Sequence, residues 1–282
     1  MKLTNNYNLS YDELQIINKS IYRPVPDVLR VTELINPPMI KRLMIDHWDD
    51  IVIDASEYLW VIFGTDIHHK LEQISRPNVI KELSLSVDLP NHPTIKGTLD
   101  LFDLANLSID DYKTTSVWKS VKQEYNEYAA QLNIYRWLAI RRGLPAAKRL
   151  RNILFVKDWS VSKAMQDKDY PQCQRVVVEH KVWSDEVLEK YLLSRLQVHE
   201  QTHPKVCSPE ERWEKPTIYA VMKEGQKSAV RGGLKTNQSE ADEMARTIRG
   251  GYVEIRPGGC KRCEAYCPAR SVCGFAKKLR ES

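Results

Sequence analysis

The sequence lacks a run of apolar residues that approaches the length of a membrane-spanning helix, because charged residues interrupt its longest apolar segments. Its first ten residues contain one lysine and no hydrophobic stretch, so we expect no signal peptide there. These absences predict a cytoplasmic protein with no membrane partner. In that reducing compartment cysteines remain thiols, so a cluster of cysteines favours a metal site over disulfide bonds.

Internal repeats and low-complexity segments are also missing from the sequence. At 282 residues the chain can form one large domain, or a core with a small accessory unit. Hydrophobic residues make up 42% of the chain, which is sufficient for a core. The net charge of +5 is compatible with a nucleic-acid partner but is too small to require one.

The first part of the chain is polar and predicts an N-terminal helical arm over residues 1–60. Pro37-Pro38 favours a helix start, since proline is tolerated in the first helical turn. Apolar residues recur at helical spacing from Met39 to Gln73, which predicts helix throughout this range. We expect Gly64 to mark a break or a close packing point within that helix.

The central residues 61–200 predict an α/β core with one mixed sheet and helices on its faces. Strands are predicted at 83–87, 95–102 and 109–115, a helix at 125–141, strands at 151–156 and 174–178, and a helix at 184–199. Residues 201–282 differ in composition, with five of the six cysteines and three glycine pairs. They predict a C-terminal lobe that is held partly by metal and is packed on the core.

Two carboxylates and a lysine on the second and third core strands form the strongest chemical signal. Asp111 and Lys113 share a face of one strand, and an adjacent antiparallel strand can bring Asp100 alongside them. Converging carboxylates repel each other unless a cation lies between them, and hard oxygen ligands suit Mg²⁺ or Mn²⁺. Such an ion can activate water, and Lys113 can stabilise transition-state charge. For this short motif alone, a solvated Asp–Lys pair is the alternative.

Two predicted helices add side chains at i,i+4 spacing, which places them on one helical face. His68 and Glu72 can reach the same metal ion, although His69 competes with His68 for the inward direction. Gln131 and Tyr135 can bind phosphate or a base edge at the rim of the cleft. An ordinary half-buried helix face is the alternative for this second pair.

The order of these motifs resembles the RecB-like branch of the PD-(D/E)XK nuclease superfamily. Gly-x-x-x-His, Gly-x-x-Asp, Asp-x-Lys and Gln-x-x-x-Tyr follow one another, each on the element type that it requires. The resemblance implies a restriction-endonuclease-like core, a divalent metal ion and a catalytic lysine. The implied residues are His68, Asp100, Asp111 and the Tyr112 carbonyl as metal ligands, Lys113 in catalysis, and Gln131 and Tyr135 in support.

The cysteines form a second candidate site. Four lie within fourteen positions and two lie upstream, namely Cys260, Cys263, Cys267 and Cys273, preceded by Cys207 and Cys173. Zinc favours two short cysteine pairs, whereas closely spaced thiolates that end in Cys-Pro suit an iron–sulfur cluster. Several RecB-like nucleases hold a [4Fe–4S] cluster with one distant cysteine and three near the C-terminus. This resemblance implies Cys207, Cys263, Cys267 and Cys273 as ligands, with Cys260 as an alternative; zinc or free thiols stay open.

A wider resemblance, to nuclease-like proteins encoded by phages and prophages, runs nearly from end to end. The segments that carry it are 31–38, 207–213, 219–223 and 253–258. It implies hydrolysis of DNA phosphodiester bonds in the host cytoplasm, with exonuclease action alongside phage recombination or replication proteins. A catalytically inactive nucleic-acid-binding protein on the same fold, with a zinc- or iron–sulfur-stabilised lobe, is the alternative. Endonuclease action and an RNA substrate also stay open.

Basic and aromatic residues near these motifs have two interpretations each. Residues 141–142 and 148–151 are basic, and they can contact phosphates or form a solvated positive face. Trp118, five residues beyond Lys113, can stack on a base of single-stranded DNA. Core packing is the expected role of Trp118.

Overall fold

The computed structural model describes residues 1–281 of the chain. Its N-terminal part contains both helices and strands. Its elements are β1 (Lys2–Thr4), α1 (Tyr11–Ser20), β2 (Val28–Arg30), α2 (Val31–Ile35), α3 (Pro38–Asp46), β3 (Val52–Asp54) and α4 (Leu59–Glu72). Ser10 and Glu13 form a capping box that begins α1, because each side chain accepts a hydrogen bond from the other's backbone N–H. Pro38 lies in the first turn of α3, as predicted.

The uninterrupted helix predicted from Met39 to Gln73 is wrong in its middle. There Val52–Asp54 forms β3, which pairs in parallel with β1. The Asp54 carboxylate accepts hydrogen bonds from the backbone N–H groups of Ser56 and Asn6, so it ends the strand and binds the N-terminal segment. Because the partner of β3 lies about fifty positions away in the chain, the local spacing of apolar residues does not reveal the strand.

A six-stranded mixed sheet joins β2 to the centre of the chain. The remaining elements of this part are β4 (Val79–Val87), β5 (Thr94–Asp103), β6 (Ser108–Thr115), α5 (Val117–Lys122), α6 (Asn126–Arg141), β7 (Arg149–Val156), α7 (Val161–Gln166), β8 (Arg175–His180) and α8 (Asp185–His199). The strand order is β2-β5-β6-β7-β8, and β4 also pairs with β5. The β2–β5 and β6–β7 pairs are parallel and the others antiparallel. The predicted mixed sheet with flanking helices is confirmed.

Helix α6 is buried along most of its length and anchors the core. Leu132, Ile134 and Leu138 are fully buried, and they pack in one cluster with Phe102 and Leu150 of the sheet. Burial of a side chain of this size contributes roughly 1.5–3 kcal/mol. The packing therefore fixes the position and rotation of α6 against the sheet.

The chain divides into two compact units after Pro204. The elements of the second unit are β9 (Glu214–Lys215), β10 (Ile218–Lys223), β11 (Leu234–Lys235), α9 (Gln238–Arg246), β12 (Gly251–Arg256), β13 (Gly259–Cys260) and α10 (Gly274–Glu281). β10 pairs with both β11 and β12, and α9 packs through Ala241 and Ala245 against Val221. The boundaries predicted at residues 60 and 200 stay predictions. No helix within residues 1–281 is long and apolar enough to cross a membrane.

Two glycines of the sequence motifs have different surroundings. The break or close packing predicted at Gly64 is wrong, because α4 continues through it and a Cβ built there meets no atom within 4 Å. The close packing occurs instead at Gly97 of β5. A Cβ there would lie 2.5 Å from Cε1 of Tyr135 and 2.8 Å from Cγ2 of Val31.

We expect Gly97→Ala and Gly64→Ala to change stability in opposite directions. Overpacking against Tyr135 should cost Gly97→Ala about 1–3 kcal/mol, whereas alanine inside α4 should stabilise the protein by about 0.5–1 kcal/mol. Urea unfolding followed by circular dichroism measures both. A Gly97→Ala protein as stable as the wild type would contradict the close approach of β5 to α6.

Candidate active site and cysteine cluster

Asp100 and Asp111 lie where β5 and β6 separate. The two strands pair only from Leu101–Asp110 to Asp103–Ser108. At the next position, Oδ2 of Asp100 accepts a hydrogen bond of 2.7 Å from the backbone N–H of Tyr112. The side chain of Asp100 thus replaces a backbone partner, and the predicted approach of the two strands is present.

Asp111 and Lys113 form a close ion pair. The Lys113 Nζ atom lies 2.9 Å from Oδ1 and 2.7 Å from Oδ2 of Asp111, whose side chain is almost fully buried. Burial lowers the pKa of Lys113, but the charge and hydrogen bond of Asp111 outweigh it and raise that pKa to about 12. The ion pair with Asp111 therefore favours the charged form of Lys113.

Asn152 of β7 holds the other side of the Asp111 carboxylate. Its Nδ2 donates to Oδ2 of Asp111 at 2.7 Å, and its Oδ1 lies 2.7 Å from Nε2 of His180. Since the Asn152 amide donates to Asp111, its oxygen is the acceptor for His180. Sequence reasoning missed both residues. The available signal was the polar Asn152 directly before the apolar run of residues 153–156 in β7.

His68 lies close to two carboxylates, Glu82 and Asp100. The ligand atoms of these three side chains lie within 4.8 Å of one another. The Nε2 atom of His68 is 3.1 Å from the Tyr112 carbonyl, and its Nδ1 atom is 3.5 Å from Asp100 and 3.9 Å from Glu82. A carbonyl oxygen only accepts, so Nε2–H donates to it, and in the neutral form of the ring Nδ1 then carries the lone pair. That is the arrangement of a metal-ligating histidine.

Glu82 was not predicted, and its backbone is unusual. It lies on β4 directly opposite Asp100, between the paired residues Lys81 and Leu83. Its φ of 46° is in the left-handed region, where a non-glycine side chain costs roughly 1–2 kcal/mol. Such strain inside a strand is typical of functional positions.

The structure brings Glu82, and not Glu72, to His68 and Asp100. The Glu72 carboxylate lies 3.5 Å from Nδ1 of His69, and both of these side chains are exposed. Of the two adjacent histidines, His68 is therefore the one that faces the site. The metal role predicted for Glu72 stays a prediction.

The carboxylates of the site repel one another. Burial and the charge of Asp111 raise the pKa of Asp100, although Lys113 and the Tyr112 N–H act against this shift. Burial also raises the pKa of Glu82. Three carboxylates thus face one lysine, and a divalent cation fits the oxygen and nitrogen atoms that remain available.

Gln131 and Tyr135 are neighbours on α6. Gln131 Nε2 donates to the Tyr135 hydroxyl oxygen at 3.0 Å, and both side chains are buried. Burial raises the pKa of Tyr135 to about 12, so its hydroxyl stays protonated and can donate. Tyr135 lines a cavity of about 230 Å³ with Arg30, Lys96 and Thr98, among others. This cavity is suitable for a phosphate group.

The basic segments predicted to meet phosphate are partly neutralised. Arg151 makes two hydrogen bonds of 2.7 and 2.6 Å to Asp110, and Arg149 pairs with Glu179. Arg141 lies over the ring of Trp137. The two arginines of β7 therefore have carboxylate partners within the chain.

Five cysteines lie in the second unit, and Cys173 is exposed in the first. Burial raises the pKa of Cys207 to about 12, and the charges of Glu211, Cys267 and Cys263 add to this shift. Burial likewise raises the pKa of Cys263 to about 11, with contributions from Cys267, Cys260 and Cys273. Cys260 and Cys263 pack in one buried cluster, with Cys273 against it. Cys263 lies within a short π-helix, Arg262–Tyr266, and Cys267 follows directly at its C-terminal end.

A family model decides the classification. The model described as the PD-(D/E)XK nuclease superfamily matches residues 55–274. The chain belongs to this superfamily. The matched range includes His68, Asp100, Asp111 and Lys113, and it reaches beyond Cys273. As a PD-(D/E)XK protein the chain has a nuclease fold, and its acidic cluster is a candidate site for the divalent metal that these enzymes typically use. The RecB-like branch stays a prediction.

Solved structures with low sequence identity are similar to this PD-(D/E)XK chain. SSO0001 is 16% identical, with a TM-score of 0.48 over 71% of this chain and 88% of that chain. A phage related exonuclease from Haemophilus somnus 129PT is 11% identical, with a TM-score of 0.36 over 64% of this chain and 93% of that chain. No curated protein matches the chain significantly.

We expect Glu82→Gln to weaken Mn²⁺ binding and Glu72→Gln to leave it unchanged. Loss of one charged ligand should reduce affinity at least about tenfold, the scale on which even outer-shell partners act. Isothermal titration calorimetry measures both variants, and circular dichroism verifies folding. Weaker binding by Glu72→Gln with unchanged binding by Glu82→Gln would show that the sequence-based assignment was the correct one.

Proposed function

We propose that this protein is a Mg²⁺- or Mn²⁺-dependent deoxyribonuclease that hydrolyses phosphodiester bonds. The observation that carries the proposal is the convergence of Asp100, Asp111 and Lys113 where β5 and β6 separate. His68 and Glu82 extend this set with an imidazole nitrogen and a third carboxylate. The combination of hard ligands and one buried cation suits phosphoryl chemistry.

Each side chain has a distinct proposed role. His68, Asp100, Asp111 and the Tyr112 carbonyl hold the ion, with Glu82 as a further ligand; when bound, the ion polarises the phosphoryl oxygen and activates water. Lys113 places a permanent positive charge where negative charge develops in the transition state. Asn152 fixes the orientation of Asp111, and Gln131 positions the Tyr135 hydroxyl.

We propose DNA ends as the preferred substrate and phage recombination or replication as the setting. The support is the sequence resemblance of residues 31–38, 207–213, 219–223 and 253–258 to phage-encoded nuclease-like proteins. Recombination or replication proteins are the corresponding partners. Lys96 and Arg30 at the cavity beside Tyr135 fit a phosphate that neighbours the cleaved one.

The alternative is a catalytically inactive protein that binds nucleic acid on the same fold. A nuclease that has become catalytically inactive is expected to lose the lysine or an acidic metal ligand of its active site first. Here Lys113 is held by both oxygens of Asp111, and Asp100 is held by the Tyr112 N–H. The intact set favours the enzyme.

We expect Asp111→Asn and Lys113→Met to reduce Mg²⁺-dependent cleavage of linear DNA at least about 100-fold, because each removes a charge that acts on the transition state. Lys70→Met is the matched control, since Lys70 pairs with Asp66 on the exposed surface of α4. Cleavage is followed on gels with linear, circular and single-stranded DNA. Full activity of a pure Asp111→Asn sample would refute the assignment.

We further propose a [4Fe–4S] cluster in the second unit, with Cys207, Cys263, Cys267 and Cys273 as ligands. Around one zinc ion, tetrahedral thiolates would lie roughly 3.8 Å apart. Among the described residues, no three cysteine sulfurs lie within 4.8 Å of one another. A cluster binds each thiolate to a separate iron, which requires wider spacing.

The fourth ligand is best supplied by Cys207. Its charge interacts with those of Cys263 and Cys267. The Cys260 thiol instead donates to the Glu214 carboxylate at 3.6 Å. Cys260 packs beside Cys263, but its thiol would have to give up the Glu214 hydrogen bond to bind iron, which makes it the weaker candidate.

We expect the anaerobically purified protein to be brown and to contain iron and acid-labile sulfide. Cys267→Ser and Cys207→Ser should lose the visible absorbance, because each removes one iron ligand, whereas Cys173→Ser should keep it. Loss of colour in Cys260→Ser with retention in Cys207→Ser would reverse the assignment of the fourth ligand. A colourless wild-type protein that contains zinc would overturn the cluster.

A further inference from the structure

Three large aromatic side chains are exposed near the candidate active site. Trp60 is 57% exposed, Phe63 is 58% exposed and Trp118 is 63% exposed. The core packing expected for Trp118 is therefore wrong. Helix α4, which carries Trp60 and Phe63, has no buried residue although half of it is apolar. We name Trp60, Phe63, Trp118 and Lys157 the aromatic surface.

Lys157 connects this surface to the active-site strand. Its ammonium lies 3.6 Å from the centre of the Trp60 ring, which in turn is 5.5 Å from the ring of Phe63. The backbone N–H of Lys157 donates to the Thr115 carbonyl at 3.0 Å. Thr115 follows Lys113 by two residues on β6, so it lies roughly 7 Å from it along the strand.

Trp118 lies in the first turn of α5, which directly follows β6. The backbone N–H of Val117 donates to the Asp158 carboxylate at 2.6 Å, and Ser116 caps α5 through the N–H of Trp118. These bonds hold the start of α5 beside Lys157. Trp118 and Trp60 therefore both flank the end of β6.

Helix α5 also brings a lysine to the site. Lys119 lies 5.0 Å from the centre of the Tyr128 ring, and Lys113 lies 5.8 Å from the same ring. Lys119 and the candidate catalytic Lys113 thus both contact the ring of Tyr128. Lys122, one turn further along α5, is exposed.

We propose that the aromatic surface binds single-stranded nucleic acid and leads it to the candidate active site; this proposal rests on the proposed nuclease function. Aromatic rings stack on unpaired bases of any sequence, and the lysines attract phosphates. A duplex keeps the faces of its bases stacked inside the helix. The alternation of exposed rings with Lys119, Lys122 and Lys157 therefore matches a single strand, whereas an apolar protein partner would gain nothing from the lysines.

The test is binding of a fluorescein-labelled oligothymidylate, and of a duplex of the same length, measured by fluorescence anisotropy in EDTA to prevent cleavage. Trp60→Leu and Trp118→Leu should each weaken single-strand binding roughly 5- to 150-fold, since one stacked base contributes about 1–3 kcal/mol. Trp60→Phe and Trp118→Phe should stay near the wild type because a ring remains. Tyr7→Leu, at a 74% exposed aromatic elsewhere, is the matched control.

Lys157→Gln tests the electrostatic part of the surface. Removal of one phosphate contact should reduce the slope of log affinity against log salt by about 0.7 for a single strand. An unchanged slope would overturn the role of Lys157.

Two outcomes would overturn the aromatic surface as a whole. One is equal single-strand binding by the leucine variants and the wild type. The other is self-association, measured by sedimentation, that the leucine variants lose while they keep single-strand binding, which would identify a second copy as the occupant. Failure of the nuclease function is distinguishable from failure of the aromatic surface. Tryptophan-dependent binding without Mg²⁺-dependent cleavage would support single-strand binding by the surface and refute the proposed nuclease activity.

Discussion

Asp100 and Asp111 are buried next to each other, and the repulsion between their carboxylates governs the arrangement of the site. Each is held by donors: Asp100 by the N–H of Tyr112, and Asp111 by Lys113 and Asn152. Glu82 adds a third carboxylate on the neighbouring strand, opposite Asp100. Lys113 pairs with one of these three carboxylates, and His68 lies at the edge of the group. A divalent cation is the group that would offset the remaining charge.

The central part of this site follows from local rules. Asp111 and Lys113 share a face because strand side chains alternate, and Gln131 contacts Tyr135 because four residues span one helical turn. The approach of Asp100 follows from the antiparallel connection of two consecutive strands. The same rules located the strands and helices of the core, since their apolar spacing is regular. They also produced the mistaken helix at 52–54, where a distant strand supplies the partner.

The rest of the site depends on contacts that sequence spacing does not encode. Glu82 enters it through a left-handed backbone within a strand, which no local pattern marks. Asn152 meets Asp111 because β6 and β7 pair in parallel, and that register is set by the crossover through the buried helix α6. Glu72 has the helical spacing to join His68, yet it lies with His69 on the outside of α4. Helical spacing selects a face, but the rotation of the helix decides which residues reach the sheet.

Where β5 separates from β6, the sheet loses backbone hydrogen bonds, and the candidate active site forms in the same place. Beyond Leu101 the ladder loses its backbone partners, and the Asp100 carboxylate replaces one of them with a charge-assisted bond to Tyr112. Asp100 is therefore a structural residue as well as a candidate ligand. Its replacement by alanine would leave a backbone N–H without that partner, which costs about 1–3 kcal/mol when buried. Lost activity in an alanine variant of Asp100 would therefore combine a structural effect with a catalytic one. Lys113 makes no backbone bridge between the strands, so a variant at Lys113 tests the catalytic effect alone.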